Sequence, residues 1–442
     1  MNVSMRAMTL RNSIATVGRL AASVAVGALM ACGGPSESQV PERSSVANQW
    51  LLRAKESYRR GDFDDAAEAS KRASLSAPKD PEVRLLAGQL SLARLEFDEA
   101  LTMTDGLTMT QAKFVRGVAY WHKGQLEETA DALEAFTADP SVRDAWATQV
   151  AKLARRGRGR TPFTIEGGYV SSIEMPRMIG EQYVMPYGVV PIELEGDQVL
   201  AAIATNELDL VVDSATRREP EWVSLRFDRI EVRDVPAVVR DLSPLSRRLK
   251  VPVRALIGTN LLRRLHATID RRADQLVFRR EDPASPPDAS HVPAWYVHGS
   301  LSVRANVGPN EADASPFLID STRPTTVVLS AESWQRAGVE LKSLLPVEGA
   351  PDMRSGTLKI FHFAGYDLGR VPAFFSSATE ERAGNGVTFG GVVGADLLTN
   401  FRMTFSDEGK HLWVEPDPAA SIAAKASPAN DPPTERLKGT KP

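Results

Sequence analysis

Two segments of the chain have matching sequences. Residues 256–262 are Leu-Ile-Gly-Thr-Asn-Leu-Leu and residues 392–398 are Val-Val-Gly-Ala-Asp-Leu-Leu, so that Gly258 corresponds to Gly394. Apolar β-branched residues followed by a glycine and a paired leucine are typical of a buried strand that ends in a tight turn. The same sequence offset relates Phe227 to Phe363, Pro236 to Pro372, Thr268 to Thr404 and Leu276 to Leu412. An offset that stays constant from Phe227 to Leu276 indicates a duplicated β unit.

A second pair of segments lies upstream in each copy. Residues 210–214 are Leu-Val-Val-Asp-Ser and residues 317–321 are Phe-Leu-Ile-Asp-Ser, at a smaller offset than the downstream pairs. Each copy is therefore predicted to contain an apolar strand, an Asp-Ser loop, later strands and the Gly-x-x-Leu-Leu segment. One alternative stays open at this point, since Asp-Ser after a strand is also a common turn in which the side chain bonds to the backbone.

This arrangement resembles the retropepsin-like aspartic peptidase family, in which an apolar strand leads into an Asp-Thr/Ser-Gly loop and a later Ile-Gly-x-x-Leu-Leu segment packs behind it. The resemblance covers about 163–281 and 293–416. It implies two retropepsin-like all-β lobes in one chain, related by a pseudo-two-fold axis as in the pepsin-like plan. The lobes would then pair within one chain, and a monomer is expected; pairing between chains is the alternative.

The family resemblance also implies a catalytic site at that axis. Two aspartates that lie close together cannot both ionise easily and share a proton, so that one activates a water while the other protonates the scissile carbonyl. No cofactor and no metal is expected. The candidate residues are Asp213 and Asp320 as the catalytic pair, Ser214 and Ser321 as cross-links between the loops, and Gly258 and Gly394 as loop supports.

Two features depart from a working peptidase loop. Ala215 and Thr322 stand where the family has glycine, and each adds a Cβ to a tight turn. The arginines that follow the two Asp-Ser pairs would favour ionisation of both carboxylates if they faced the site, and would remove the shared proton. They are Arg217, Arg218 and Arg323.

The length of the first copy is a third departure. Phe227 follows Asp213 after a short stretch of chain, whereas the equivalent Phe363 follows Asp320 after a much longer one. The first lobe is therefore predicted to lack a segment in the region where the family has its substrate-covering flap. In the second lobe, residues 347–358 are predicted to form a hairpin lid.

The start of the chain has the pattern of a secretory signal. Residues 1–19 carry three arginines and no acid, and residues 20–30 are apolar or small. The following Leu-Met-Ala-Cys at 29–32 resembles a bacterial lipobox, which implies a signal peptide over 1–31 and lipidation of Cys32, with palmitate or a similar acyl chain. Glycines rather than aspartate follow the cysteine, which in that family favours the outer membrane of the bacterial envelope. The alternative is an ordinary signal peptide with an incidental thiol.

A helical region precedes the β units. Residues 32–46 are expected to form a tether, and 47–156 have apolar positions at helical spacing. The segment Gly-Asp-Phe-Asp-Asp-Ala at 61–66 recurs as Leu-Glu-Phe-Asp-Glu-Ala at 95–100. This spacing resembles that of the tetratricopeptide repeat (TPR), whose period is about 34 residues. The resemblance implies an α-solenoid that binds protein partners. Residues 417–442 are predicted to be disordered.

Composition excludes several other functions. The net charge of −3 gives no electrostatic reason to expect nucleic acid binding, and a single cysteine excludes a disulfide framework. Two hypotheses remain. One is a membrane-anchored aspartic endopeptidase that acts on polypeptide substrates; the other is a catalytically degenerate, peptidase-like lipoprotein that binds polypeptide as a scaffold.

Overall fold

The structure is a computed structural model, and it describes residues 43–179, 183–184, 187–308, 313–376 and 386–417. The predicted signal peptide, Cys32, most of the tether and nearly all of the predicted disordered tail lie outside these residues. None of the helices in the described ranges combines the length and the apolar character needed to cross a bilayer.

The N-terminal part consists of antiparallel helices, as the repeat pattern predicts. The buried faces carry small residues, among them Ala54, Ala66 and Ala73, which let paired helices approach closely. Asp62 and Asp80 cap the helices that follow them by accepting backbone N–H groups. The helices are α1 (Ser45–Arg59), α2 (Phe63–Ser76), α3 (Pro81–Ala93), α4 (Phe97–Thr104), α5 (Thr110–His122), α6 (Leu126–Thr137) and α7 (Ala145–Arg156).

The first β lobe follows the helices. Its strands β1 and β5–β10 form one sheet in the order β1-β9-β7-β10-β6-β5-β8. The elements are β1 (Thr164–Gly167), β2 (Val170–Glu174), β3 (Met178–Ile179), β4 (Tyr183–Val184), β5 (Val189–Leu194), β6 (Asp197–Ile203), β7 (Leu210–Asp213), β8 (Glu221–Phe227), β9 (Ile230–Arg240), α8 (Ser243–Leu249), β10 (Val253–Ile257), α9 (Thr259–Arg264), β11 (Thr268–Asp270) and β12 (Gln275–Arg279).

The second lobe repeats this topology. Its main sheet has the order β14-β15-β16-β21-β17-β20-β19-β18, so that β15, β16, β21, β17 and β20 match β5, β6, β10, β7 and β9. The elements are β13 (Ser290–Pro293), β14 (Trp295–Val297), β15 (Ser300–Asn306), β16 (Ser315–Asp320), β17 (Val327–Leu329), α10 (Ala331–Arg336), β18 (Leu345–Val347), β19 (Ala350–Phe363), β20 (Tyr366–Ser376), β21 (Gly391–Gly394), α11 (Ala395–Leu398), β22 (Phe401–Ser406) and β23 (His411–Pro416).

A third sheet joins the two lobes. Its order is β13-β23-β22-β11-β12-β2, with strands from both copies. At its centre Thr268 lies directly opposite Thr404, and their hydroxyl oxygens are 2.9 Å apart. Thr268 and Thr404 are equivalent residues of the two sequence copies, and they contact each other as expected at a pseudo-two-fold axis. The predicted fold class, helical repeats followed by two related all-β lobes in one chain, is confirmed.

The helices are also attached directly to the first lobe. Gln149 of α7 both donates to and accepts from the backbone of Val239 in β9, at 3.1 and 2.7 Å. Trp222 of β8 donates its indole N–H to the carbonyl of Leu153 at 3.0 Å. These contacts hold the solenoid against the lobe at one side of its main sheet.

Candidate functional site at the pseudo-two-fold axis

Strand register shows which loop residues are equivalent in the two lobes. In the second lobe Ile319 of β16 pairs with Val393, the residue before the repeated glycine. In the first lobe Ile203 of β6 pairs in the same parallel manner with Ile257. The residues that directly follow Ile203 and Ile319 therefore occupy equivalent positions.

A reciprocal set of hydrogen bonds links these two loops. Thr205 Oγ1 donates to the carbonyl of Ile319, and Ser321 Oγ donates to the carbonyl of Ile203, both at 2.6 Å. The amide of each of these hydroxyl residues donates to the hydroxyl of the other, both at 3.1 Å. Both side chains are buried. We call these four bonds the loop cross-link; it shows that Thr205 is the counterpart of Ser321.

The first-lobe counterpart of Asp320 is consequently Ala204. Ala204 is fully buried, and its amide donates to the carbonyl of Ile257 at 3.0 Å. The first lobe thus contributes a methyl group where a two-aspartate site needs a carboxylate. The first-lobe loop is Ala204-Thr205-Asn206, and the second-lobe loop is Asp320-Ser321-Thr322.

The structure does not bring Asp213 to this site. Asp213 ends β7, the strand after the loop, at the position that Ser330 occupies after β17. Its Oδ2 accepts a hydrogen bond from Arg254 at 2.7 Å, and its Oδ1 accepts the amide of Leu242 at 3.2 Å. Ser214 is exposed and takes no part in the loop cross-link. The predicted pairing of Asp213 with Asp320 is therefore wrong. The Asp213 carboxylate instead anchors the start of α8.

This correction changes two related predictions. Asn206, and not Ala215, stands in the first lobe where the family has glycine. The segment missing from the first lobe is also shorter than predicted. The number of residues up to Phe227 has to be counted from Ala204, which lies earlier in the chain than Asp213. Arg217, which follows Asp213, forms an ion pair with Glu221.

Asp320 is held by its own loop. Its Oδ1 accepts hydrogen bonds from the amide of Thr322 at 3.0 Å and from the Thr322 hydroxyl at 2.7 Å. The carbonyl of Thr322 in turn accepts a hydrogen bond from Arg248 of α8 at 3.2 Å. Thr322 is therefore accommodated at the position where the family has glycine. Its two hydrogen bonds occupy one carboxylate oxygen of Asp320, a residue that is only 7% exposed.

The repeated glycines let the backbone of the loops approach closely. A Cβ on Gly258 would lie 2.3 Å from the carbonyl oxygen of Asp209, and a Cβ on Gly394 would lie 2.3 Å from that of Thr325. Such contacts are far inside van der Waals distance, so each position requires a residue without a side chain. Both glycines therefore support the loops sterically.

The two lobes differ in the region of the flap. In the second lobe β18 and β19 form an antiparallel hairpin whose turn contains Gly349 at φ +74°. In the first lobe β7 is followed by the short connection 214–220 and then by β8, without such a hairpin. Within the described residues the first lobe therefore has no counterpart of the β18–β19 hairpin.

The arrangement can supply one carboxylate and three hydroxyls; those of Thr205 and Ser321 are engaged in the loop cross-link, and that of Thr322 is bonded to Asp320. Sequence reasoning missed Ala204 and Thr205, although a signal was available: Ile-Ala-Thr at 203–205 matches Ile-Asp-Ser at 319–321. Within the described ranges no three His, Cys, Asp or Glu side chains are grouped so that they could hold a metal ion.

Comparisons with known proteins give partial similarities. No protein-family model and no curated protein matches the chain. Among solved structures, the aspartic proteinase from Irpex lacteus is 9% identical over 57% of this chain and 99% of its own, with a TM-score of 0.38. A retropepsin-like aspartic protease from Rickettsia conorii is 15% identical over 30% of this chain and 95% of its own, with a TM-score of 0.22. The TPR domain of Arabidopsis OM64 is 15% identical over 25% of this chain and 94% of its own, with a TM-score of 0.23.

Proposed function

We propose that the chain is a catalytically degenerate, peptidase-like lipoprotein that binds polypeptide. The observation that carries this proposal is Ala204 opposite Asp320. Hydrolysis by an aspartic dyad needs one group to take a proton from water and a second to give a proton to the substrate carbonyl. A methyl group can do neither, so the predicted two-aspartate endopeptidase lacks its second acid.

Polypeptide binding does not need the second carboxylate. The flap hairpin of the second lobe and the helical repeats are both surfaces that can receive an extended or helical segment. The loop cross-link between Thr205 and Ser321 keeps the lobes together without any ionisable group. The proposal therefore assigns the lobes a binding role.

We place the protein at the bacterial outer membrane through a lipid on Cys32. This part rests on the sequence of residues 1–34, since several buried acyl chains on one residue would anchor a protein stably. Mass spectrometry of the mature N-terminus should show a modified cysteine, and Cys32→Ser should release the protein from the membrane fraction. An unmodified Cys32 in a membrane-free protein would contradict the anchor and leave the binding role intact.

The catalytic part is tested with purified chain lacking residues 1–32. Incubation with an unfolded protein from pH 3 to pH 7 should give no cleavage above that of the Asp320→Asn variant, while a labelled unfolded polypeptide should bind to both forms equally. The control is Asp213→Asn, which alters a carboxylate that takes no part in the loop cross-link. Cleavage that disappears specifically in Asp320→Asn would overturn the proposal.

A further inference from the structure

A cavity of about 750 Å³ lies between the helical repeats and the loops of both lobes. One wall comes from α3, α5 and residues 141–146, and the other from residues 206–208 of the first lobe and 296–299 of the second. This volume is within the usual range of ligand sites, roughly 300–1,000 Å³. The cavity is composite, because neither the repeats nor the lobes could enclose it alone.

The two walls are joined by a buried polar cluster. The carboxylate of Asp209 accepts hydrogen bonds from the indole N–H groups of Trp121, at 3.1 Å, and Trp146, at 2.8 Å. It also accepts one from the amide of Asn260 at 2.7 Å. Burial raises the pKa of Asp209 above its usual value. A carboxylate with three side-chain donors from three elements fixes the repeats relative to the lobe, so the cavity is formed before any ligand enters.

A second contact completes this junction. The guanidinium of Arg263 lies 2.8 Å from His122 Nδ1, and Arg264 donates to the carbonyl of His122 at 2.7 Å. Burial, together with the neighbouring arginines, lowers the pKa of His122, which therefore stays neutral. His122 lines the cavity without adding a charge to it.

Aromatic rings form the apolar part of the lining. Phe114 of α5 is central: its ring centroid lies 5.0 Å from that of Phe136, 6.1 Å from that of Trp146 and 5.7 Å from that of His298. Phe114, Phe136 and Trp146 are only half-buried, so part of their ring surface faces the cavity. Such a cluster would stabilise an apolar or aromatic side chain of a ligand by burial and ring contacts.

One polar atom of the lining has no partner. Asn206 Oδ1 is buried and accepts no hydrogen bond within the described part of the chain. An unsatisfied acceptor of this kind favours a ligand N–H over an apolar group at this point of the wall. Asn206 belongs to the first-lobe loop, directly after Thr205, so this acceptor is positioned by the loop cross-link.

The charges of the lining nearly cancel. The charged lining residues are Arg143, Asp144 and Glu207, and Glu207 is itself paired with Arg240 at 2.6 Å. A strongly anionic or cationic ligand would therefore gain little. The remaining polar lining includes the side-chain amides of Gln89, Gln111 and Asn206, which can pair with the N–H and C=O groups of a peptide backbone.

We propose that this composite cavity binds a short, uncharged polypeptide segment that carries one aromatic or large aliphatic anchor residue. The anchor packs on Phe114, and a backbone N–H of the segment donates to Asn206 Oδ1. This inference rests on the proposed function and specifies which surface binds and which side chain is recognised. It assigns recognition to the junction of repeats and lobes, away from the flap.

The test uses the chain lacking residues 1–32 and dye-labelled Gly-Ser peptides with a central Trp, Leu or Ala. Fluorescence anisotropy should show that the Trp and Leu peptides bind about tenfold or more tightly than the Ala peptide. Phe114→Ala and Asn206→Leu should each weaken binding of the Trp peptide severalfold. The matched control is Val170→Ala, which truncates an exposed apolar side chain on β2, outside both the cavity lining and the flap hairpin, and should leave binding unchanged.

A second variant, which fills the cavity instead of enlarging it, keeps the test decisive if Phe114→Ala does not fold. Gln111 is exposed on α5 and lines the cavity, so Gln111→Trp should block the Trp peptide without disturbing the core. Wild-type affinity in both Gln111→Trp and Phe114→Ala would overturn the site while leaving polypeptide binding elsewhere intact. Equal affinity for free N-acetyltryptophanamide and for the Trp peptide would overturn the polypeptide as ligand. Failure of every peptide and of labelled unfolded protein to bind would refute the proposed function itself.

Discussion

Replacing Ala204 by aspartate tests the geometry at the axis most directly. If Ala204 faces Asp320, then Ala204→Asp creates two neighbouring buried carboxylates. Two unit charges about 4 Å apart at an effective dielectric constant of about 20 repel each other by about 4 kcal/mol. This corresponds to a pKa higher by about three, so the pair should hold one proton up to about pH 7.

The stability of this variant should depend on pH with a definite sign. A carboxyl whose pKa is raised on folding stabilises the folded state fully below its unfolded pKa of about 4, and that contribution is lost as the pH rises toward the raised value. We therefore expect Ala204→Asp to be less stable than the neutral isostere Ala204→Asn by about 4 kcal/mol at pH 7.5. The difference should nearly vanish at about pH 3.5.

The measurement is urea unfolding of both variants, followed by tryptophan fluorescence, at the two pH values. Comparing the aspartate with the asparagine variant removes the effect of side-chain volume, since both add the same bulk to a fully buried position. Equal unfolding free energies for Ala204→Asp and Ala204→Asn at both pH values would refute the assignment of Ala204 as the partner of Asp320.

Three further predictions concern the supports of the site. Gly394→Ala should destabilise the chain by about 1–3 kcal/mol because its Cβ would overlap a backbone carbonyl, whereas Gly369→Ala, with open space at its Cβ, should change the urea midpoint little. Thr205→Val should cost about 1–3 kcal/mol, since it leaves buried partners of the loop cross-link unsatisfied, and an unaltered urea midpoint, such as the exposed Ser214→Ala should show, would contradict this. Burial raises the pKa of Asp209, so its carboxyl contributes most to the stability of the folded chain at acidic pH, and this contribution falls as the pH rises through the raised pKa. The stability of wild type relative to Asp209→Asn should therefore decline between pH 4 and pH 8. A difference in thermal midpoint that does not depend on pH would refute this prediction.

The duplication could be predicted from sequence because its downstream half has no insertions. The offset between the copies is constant from Phe227 to Leu276, and it even identifies the pair Thr268 and Thr404 that meets at the axis. Steric constraints explain this constancy in part, since a Cβ on the glycine that precedes each Leu-Leu pair would overlap a backbone carbonyl.

The first-lobe loop could not be located in the same way. A segment is missing from the flap region of the first copy, so the sequence offset between the two copies is different upstream of that region. In addition, Leu-Val-Val-Asp-Ser at 210–214 has the pattern expected for the strand and the Asp-Ser loop. Both β6 and β7 are apolar strands with a small hydroxyl residue within two positions of their ends, so hydrophobic pattern alone does not separate them. Only the pairing of β6 with β10 and the loop cross-link identify Ala204.

The position of the helical repeats on the lobes was beyond sequence reasoning for a different reason. It depends on single polar groups from distant parts of the chain, as when Trp121 and Trp146 converge on Asp209. Each of these residues, taken alone, is an ordinary core or turn residue, and no periodicity relates them. Their combination becomes informative only once the lobes are folded.

The loop cross-link separates the structural role of the axis from its chemistry. Its four hydrogen bonds use hydroxyl, amide and carbonyl groups, none of which titrates between pH 3 and pH 9. Asp320 contributes to none of these bonds, and Ala204 has no side chain that could. The relative placement of the lobes, and with it the wall of the composite cavity formed by Asn206, therefore does not depend on a catalytic carboxylate. For this reason Asp320→Asn should leave peptide binding at the cavity unchanged, whereas Thr205→Val should weaken it, and the opposite result would show that ligand recognition takes place at Asp320.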